Sequence, residues 1–96
     1  MKVSFHPEAR LELLKQKEWY RERSVSAAAG FERQFDLAIS RILEGPERYP
    51  ITRRGRRRFV MLDYPFDVIY RIQEHEIQIM AVAHHRRRPD YWLRRS

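Results

Sequence analysis

Two alternating runs separated by only two residues limit what this chain can fold into. In Phe66–Gln73, the residues Phe66, Val68, Tyr70 and Ile72 fall on one side, with Asp67, Ile69 and Arg71 on the other. In Glu76–His84, Ile77, Ile79, Ala81 and Ala83 oppose Gln78, Met80, Val82 and His84. A period of two is the mark of a β-strand. The short Glu74-His75 connection predicts an antiparallel hairpin, although it lacks the usual Asn-Gly turn. Strands apolar on one face and mixed on the other predict a sheet with helices on one side and an open surface on the other.

The upstream residues supply those helices. Lys2–Phe5 alternates and predicts a short first strand. Pro7 suits the first position of a helix, His6 would be its cap, and Glu8 favours the positive helix start. This helix is expected to run to about Arg23. It carries Ala9, Leu13, Gln16 and Tyr20 on one stripe, flanked by Trp19, and Leu11 and Leu14 on the far side. Leu13, Trp19 and Tyr20 are expected in the core. Ser24 or Ser26 can cap a second helix. Phe31, Phe35, Ala38, Ile39 and Ile42 recur at helical spacing, and Gly45-Pro46 stops the helix. After a Pro- and Gly-containing loop, Arg57–Leu62 predicts another strand, and Pro89 a final helical turn carrying Tyr91, Trp92 and Leu93. The expected architecture is α+β in the order β-α-α-β-β-β. A helical hairpin packs on one face of a twisted, mainly antiparallel sheet within one domain spanning residues 1–96.

Charge narrows the partner. Twenty Lys and Arg against thirteen Asp and Glu give a net charge of +7. Much of the excess is clustered, at Arg53, Arg54, Arg56, Arg57 and Arg58, at Arg86, Arg87 and Arg88, and at Arg94 and Arg95. Clustered guanidinium forks favour an anionic partner over simple solubility. Without cysteine, thiolate chemistry and disulfides are excluded, and no His/Asp/Glu spacing resembles a metal-ligand set. The start lacks a signal-peptide pattern and no apolar run approaches a membrane span, so a cytoplasmic protein without cofactor, metal or membrane contact is expected.

Several segments together resemble one family. The HPEA of His6–Ala9, the Trp19-Tyr20 pair, the loop with Pro46 and Pro50, the YRI of Tyr70–Ile72, the AVAHHRR of Ala81–Arg87 and the PDYW of Pro89–Trp92 are similar to the RelE/ParE superfamily of toxins from type II toxin–antitoxin systems. The HPEA, WY and AVAHHRRRPDYW pieces look more like its ParE branch. That resemblance implies a growth-inhibiting toxin that binds DNA gyrase and is neutralised by a cognate antitoxin. The alternative, the RelE-like branch, implies a ribosome-dependent mRNA endonuclease.

The resemblance and the residues together nominate sites. Target binding is expected at Arg71, Arg86, Arg87, Arg88, Tyr91 and Trp92. An acidic, amphipathic antitoxin segment is expected on Leu11 and Leu14, with Arg57 and Arg58 as electrostatic guides. A nuclease would draw on Arg71, His84, Arg86 and Tyr91. Two departures weigh against cleavage. Asp67 aligns where the ribonucleases carry an arginine, and Trp92, which cannot exchange a proton, aligns with their C-terminal tyrosine. Arg71 shares a face with Asp67, so an ion pair between them is the structural alternative to a contact role.

Overall fold

The computed structural model describes residues 1–96. The elements are β1 (Lys2–Phe5), α1 (Pro7–Arg23), α2 (Val25–Glu44), β2 (Arg57–Val60), β3 (Phe66–Gln73) and β4 (Glu76–His84). Helices and strands thus follow the order read from the sequence. Only β2 differs in extent, ending two residues before Leu62, which is 83% exposed.

Local chemistry sets the helix ends. The His6 Nδ1 accepts from the Glu8 amide at 3.1 Å, an imidazole doing the work of a capping oxygen, and Pro7 opens the helix. Ser24 is both the last cap of α1 and the first of α2, its Oγ accepting from the Ala27 amide at 3.2 Å. One residue therefore turns the chain between helices. Gly45 ends α2.

The sheet order is β1-β4-β3-β2, with β1 parallel to β4 and the other pairs antiparallel. The hairpin turns at Glu74-His75, where Glu74 adopts a left-handed φ of 43°. Phe31, Phe35, Ala38 and Ile42 of α2 and Ala9 and Leu13 of α1 bury against Phe66, Val68, Tyr70, Ile77, Ile79 and Val82. An aromatic cluster closes one end, with Tyr20, Phe31 and Tyr64 rings 5.1–5.4 Å apart. A Cβ on Gly30 would fall 2.5 Å from the Tyr64 hydroxyl oxygen, so this close approach needs glycine. Trp19 departs from its expected core role. It is 47% exposed, edge-on to Tyr20 and covered by the Arg23 guanidinium 3.6 Å from its ring.

The alternation expected for β4 breaks in the middle. Ile69 pairs with Ala81 but Tyr70 pairs with Ile79, leaving Met80 as an extra residue. One inserted residue inverts every side chain beyond it. Ala81 and Ala83, expected beside Ile77 and Ile79, turn to the opposite face. Val82 and His84 turn toward the helices instead, Val82 joining the main core and His84 meeting Phe66 edge-on at 5.0 Å.

The face away from the helices is therefore not open along its length. Ile69, Met80, Ala81 and Ala83 form a second apolar cluster there, covered by Trp92, with Tyr91 and Leu93 packed at its margin. The segment beyond Pro89 makes successive turns and no regular helix. It folds back across the sheet.

Candidate functional site

The basic and aromatic residues after β4 separate into two groups. Arg86, Arg87 and Arg88 are exposed in the turn that leaves the strand. Trp92 is 2% exposed, contrary to the contact role expected of it, because the bulge at Met80 turns Ala81 and Ala83 to this face, where they form an apolar seat that Trp92 covers. Tyr91 is half-buried. Its hydroxyl donates to Glu12 Oε2 at 2.5 Å, and its ring carries the Arg87 guanidinium 3.8 Å from its centroid.

Glu12, from α1, organises this end of the molecule. Arg95 donates to both its carboxylate oxygens, at 2.8 Å and 2.9 Å, and the Val82 amide donates to Oε1 at 3.0 Å. Arg87 Nη1 lies 3.9 Å from Oε2. The reason lies in the sheet. β1 stops at Phe5, so the β4 edge beyond Ile79 has lost its strand partner. Glu12 takes the Val82 N–H and Arg95 donates to the Met80 carbonyl at 3.0 Å, so two side chains continue the ladder. Burial pushes the Glu12 pKa up, but the Arg95 and Tyr91 bonds and the Val82 amide outweigh it and hold the carboxyl below its usual range. Burial and the Glu12 carboxylate raise the Tyr91 phenol well above its ordinary value.

Other arginines expected at a contact surface are held internally. Arg53 pairs with Asp90 at 3.5 Å, and Arg54 donates to the Leu93 carbonyl at 3.1 Å. Arg56, only 7% exposed, donates to the Arg95 carbonyl at 2.7 Å, and Arg71 donates to that of Ser96 at 3.0 Å. These groups strap the Pro89–Ser96 segment to the sheet by satisfying its carbonyls. Arg57 Nη1 donates to the Glu47 and Tyr49 carbonyls at 3.0 Å and 2.8 Å, pinning the α2–β2 loop.

Arg71 makes no ion pair with Asp67. It donates to Gln78 Oε1 across the strands at 2.8 Å. Asp67 instead holds His85 Nε2 at 2.8 Å and Arg58 at 3.4 Å, at one side of a depression of about 280 Å³. His84, Arg87, Arg88, Asp90 and Tyr91 also line that depression. Arg71 and Arg86 do not, so the four residues of a nuclease set do not converge on one cleft. Burial, then Arg86 and His85, lower the His84 pKa. No group of three His, Cys, Asp or Glu side chains is arranged to hold a metal.

On the opposite side, Leu11 and Leu14 are 50% and 51% exposed. A second, mainly apolar groove of about 240 Å³ runs between α2 and β2, lined by Leu37, Ala38, Val60, Met61 and Leu62 among others. Sequence reasoning missed Glu12. A single acid between Leu11 and Leu13 carries no signal, because its partners lie at least 70 positions away.

A helical hairpin on a four-stranded mixed sheet, with an arginine turn leaving the last strand, defines a small two-layer α+β protein with a cationic end. The chain belongs to the ParE family, toxins of type II toxin–antitoxin systems. The family model described as "ParE toxin of type II toxin-antitoxin system, parDE" matches residues 3–89. Among solved structures, a chain of the "Chromosomal ParDE TA system from P. aeruginosa" superposes with a TM-score of 0.73. It is 17% identical, and the match covers 88% of this chain and 95% of that one. At that identity the likeness is one of fold. No curated protein sequence matches the chain. No helix is long and apolar enough to cross a membrane.

Proposed function

We propose that this ParE toxin inhibits growth by binding DNA gyrase in the cytoplasm, and that a cognate antitoxin encoded with it neutralises it. The observation that carries the reading is the exposed turn Arg86–Arg88, in which neither Arg86 nor Arg88 meets an acidic side chain of the chain itself. Guanidinium forks left unpaired on a rigid sheet end suit carboxylates of a partner. Arg86, Arg87 and Arg88 are the target contacts in this reading. Tyr91, Trp92 and Arg71 support them from within.

The chemistry of the alternative is poorly supplied. A ribonuclease needs a base, an acid and cations around one phosphate. His84 turns toward Phe66, the Tyr91 hydroxyl is held by Glu12, and Arg71 is engaged with Gln78 and Ser96. The antitoxin reading rests on Leu11 and Leu14, which leave apolar surface on the outer side of α1. Arg58 is paired with Asp67 beside the depression, and Arg57 serves its own loop.

A supercoiling assay tests the assignment. Purified gyrase is inhibited by the wild-type chain, and a variant carrying both Arg86→Ala and Arg88→Ala inhibits more weakly at equal folded concentration. Codon-linked cleavage of mRNA on translating ribosomes, with gyrase unaffected, overturns it in favour of the nuclease.

A further inference from the structure

We propose that Glu12 and Tyr91 are positioning residues that fix the Arg87 guanidinium as the principal recognition group of the arginine turn. The proposal rests on the reading of that turn as the target-binding surface and says which of its arginines dominates.

The three arginines are not equivalent. Arg86 and Arg88 are exposed, and neither has a side-chain partner. The Arg87 guanidinium carbon stands over the Tyr91 ring, 3.8 Å from its centroid, and Nη1 stands 3.9 Å from Glu12 Oε2. The same carboxylate oxygen accepts the Tyr91 hydroxyl, so ring and carboxylate are locked to each other before Arg87 is added. Glu12 is itself locked by Arg95 and the Val82 amide, which ties the platform to α1 and β4.

The Tyr91 ring lies against the Arg87 guanidinium, yet the side chain remains 54% exposed and open to a partner. Such a group is ordered before binding, and ordering a free long side chain on binding weakens affinity by up to about tenfold. A planar fork held in this way suits a carboxylate on the target, accepted edge-on. Lysine could set an ammonium over the ring but offers a carboxylate no planar fork.

Two measurements on the full chain test this. In nitrogen-15 relaxation of arginine side chains, the wild-type Arg87 Nε–H is expected to be more ordered than those of Arg86 and Arg88. Glu12→Gln moves it toward them, while the backbone spectrum stays folded. An Arg87 signal indistinguishable from its neighbours in the wild type overturns the proposal.

The second measurement is growth arrest under graded induction. Arg87→Ala is expected to raise the inducer needed by about tenfold, more than Arg86→Ala or Arg88→Ala, and Arg87→Lys does not restore potency. Glu12→Gln is expected to weaken arrest alone but to add nothing to Arg87→Ala. Additive losses, or an Arg87→Ala variant no weaker than the other two, overturn the proposal. Tyr91→Phe keeps the ring and serves if Glu12→Gln fails to fold. It lowers potency less than Arg87→Ala, and equal loss counts against stacking as the support. Because growth arrest does not presuppose gyrase, this ranking can hold while the supercoiling assay fails. If the wild type does not arrest growth, the reading of the turn falls and the spectrum alone decides the positioning.

Discussion

Glu12 and Arg95, 83 positions apart, meet in a two-bond fork of 2.8 Å and 2.9 Å at the point where β1 stops covering β4. The pair is 13% and 15% exposed at its side chains, so it is shielded from water and still within its reach. Removing Glu12 leaves the Arg95 charge, the Tyr91 phenol and the Val82 backbone amide without their partner. Glu12→Ala is expected to lower unfolding free energy by about 3 kcal/mol, read from urea denaturation. Glu12→Gln, which keeps an acceptor for Val82, is expected to cost less.

The same carboxylate sets an acid limit. Its folded pKa lies below the ordinary value, so its stabilisation is complete above the unfolded pKa and is lost as pH falls through the folded one. Thermal unfolding midpoints followed downward from about pH 5, above the pKa of an ordinary glutamate, are expected to fall more steeply in the wild type than in Glu12→Gln. Parallel curves would show that other groups set the acid limb.

Trp92 is a core residue, and its loss is a loss of stability. Trp92→Ala empties the seat formed by Ile69, Met80, Ala81 and Ala83 and is expected to cost about 3–5 kcal/mol. Trp92→Phe is expected to cost less, because a ring remains. Urea unfolding of both variants checks the order. Any loss of toxicity in Trp92→Ala then reads as unfolding of the segment that backs the arginine turn.

Leu11 and Leu14 make the opposite case. Half-exposed on α1, they are expected to tolerate Leu11→Ser and Leu14→Ser within about 0.5 kcal/mol of stability each. The double variant is expected to bind its antitoxin at least tenfold more weakly (about 1.4 kcal/mol) by calorimetry. Unchanged affinity would move the contact elsewhere, with the Leu37–Leu62 groove as the next surface to mutate.

His84 is expected to titrate below the ordinary histidine value, because burial and the neighbouring Arg86 and His85 disfavour its charged form. Its neutral form is the one the fold favours, so protonation as pH falls through the folded pKa removes stability. A proton NMR titration of the imidazole checks this. A midpoint above that of a free histidine would contradict the packing on Phe66.

Much of the fold was legible because its signals are local. A period of two marked Phe66–Gln73 and Glu76–His84, and both strands have those limits. Pro7, Ser24 and Gly45 act on neighbouring backbone groups, so caps and stops showed in the residues themselves. The arginine turn was legible as charge. The platform beneath it was not, since Glu12, Val82, Tyr91 and Arg95 come together only after the chain has folded.

The bulge at Met80 marks the boundary between the two kinds of information. Residue order alone determined that Ala81–His84 would be strand, since alternation specifies a strand wherever it is placed. It left open which face each side chain would take, because a single unpaired residue against β3 inverts all that follow. Tertiary structure decided that Trp92 would be buried, that His84 would meet Phe66, and that Glu12 and Arg95 would complete an edge β1 leaves unfinished. Those outcomes depend on contacts closed over long stretches of chain, and no periodicity within a window of neighbours encodes them.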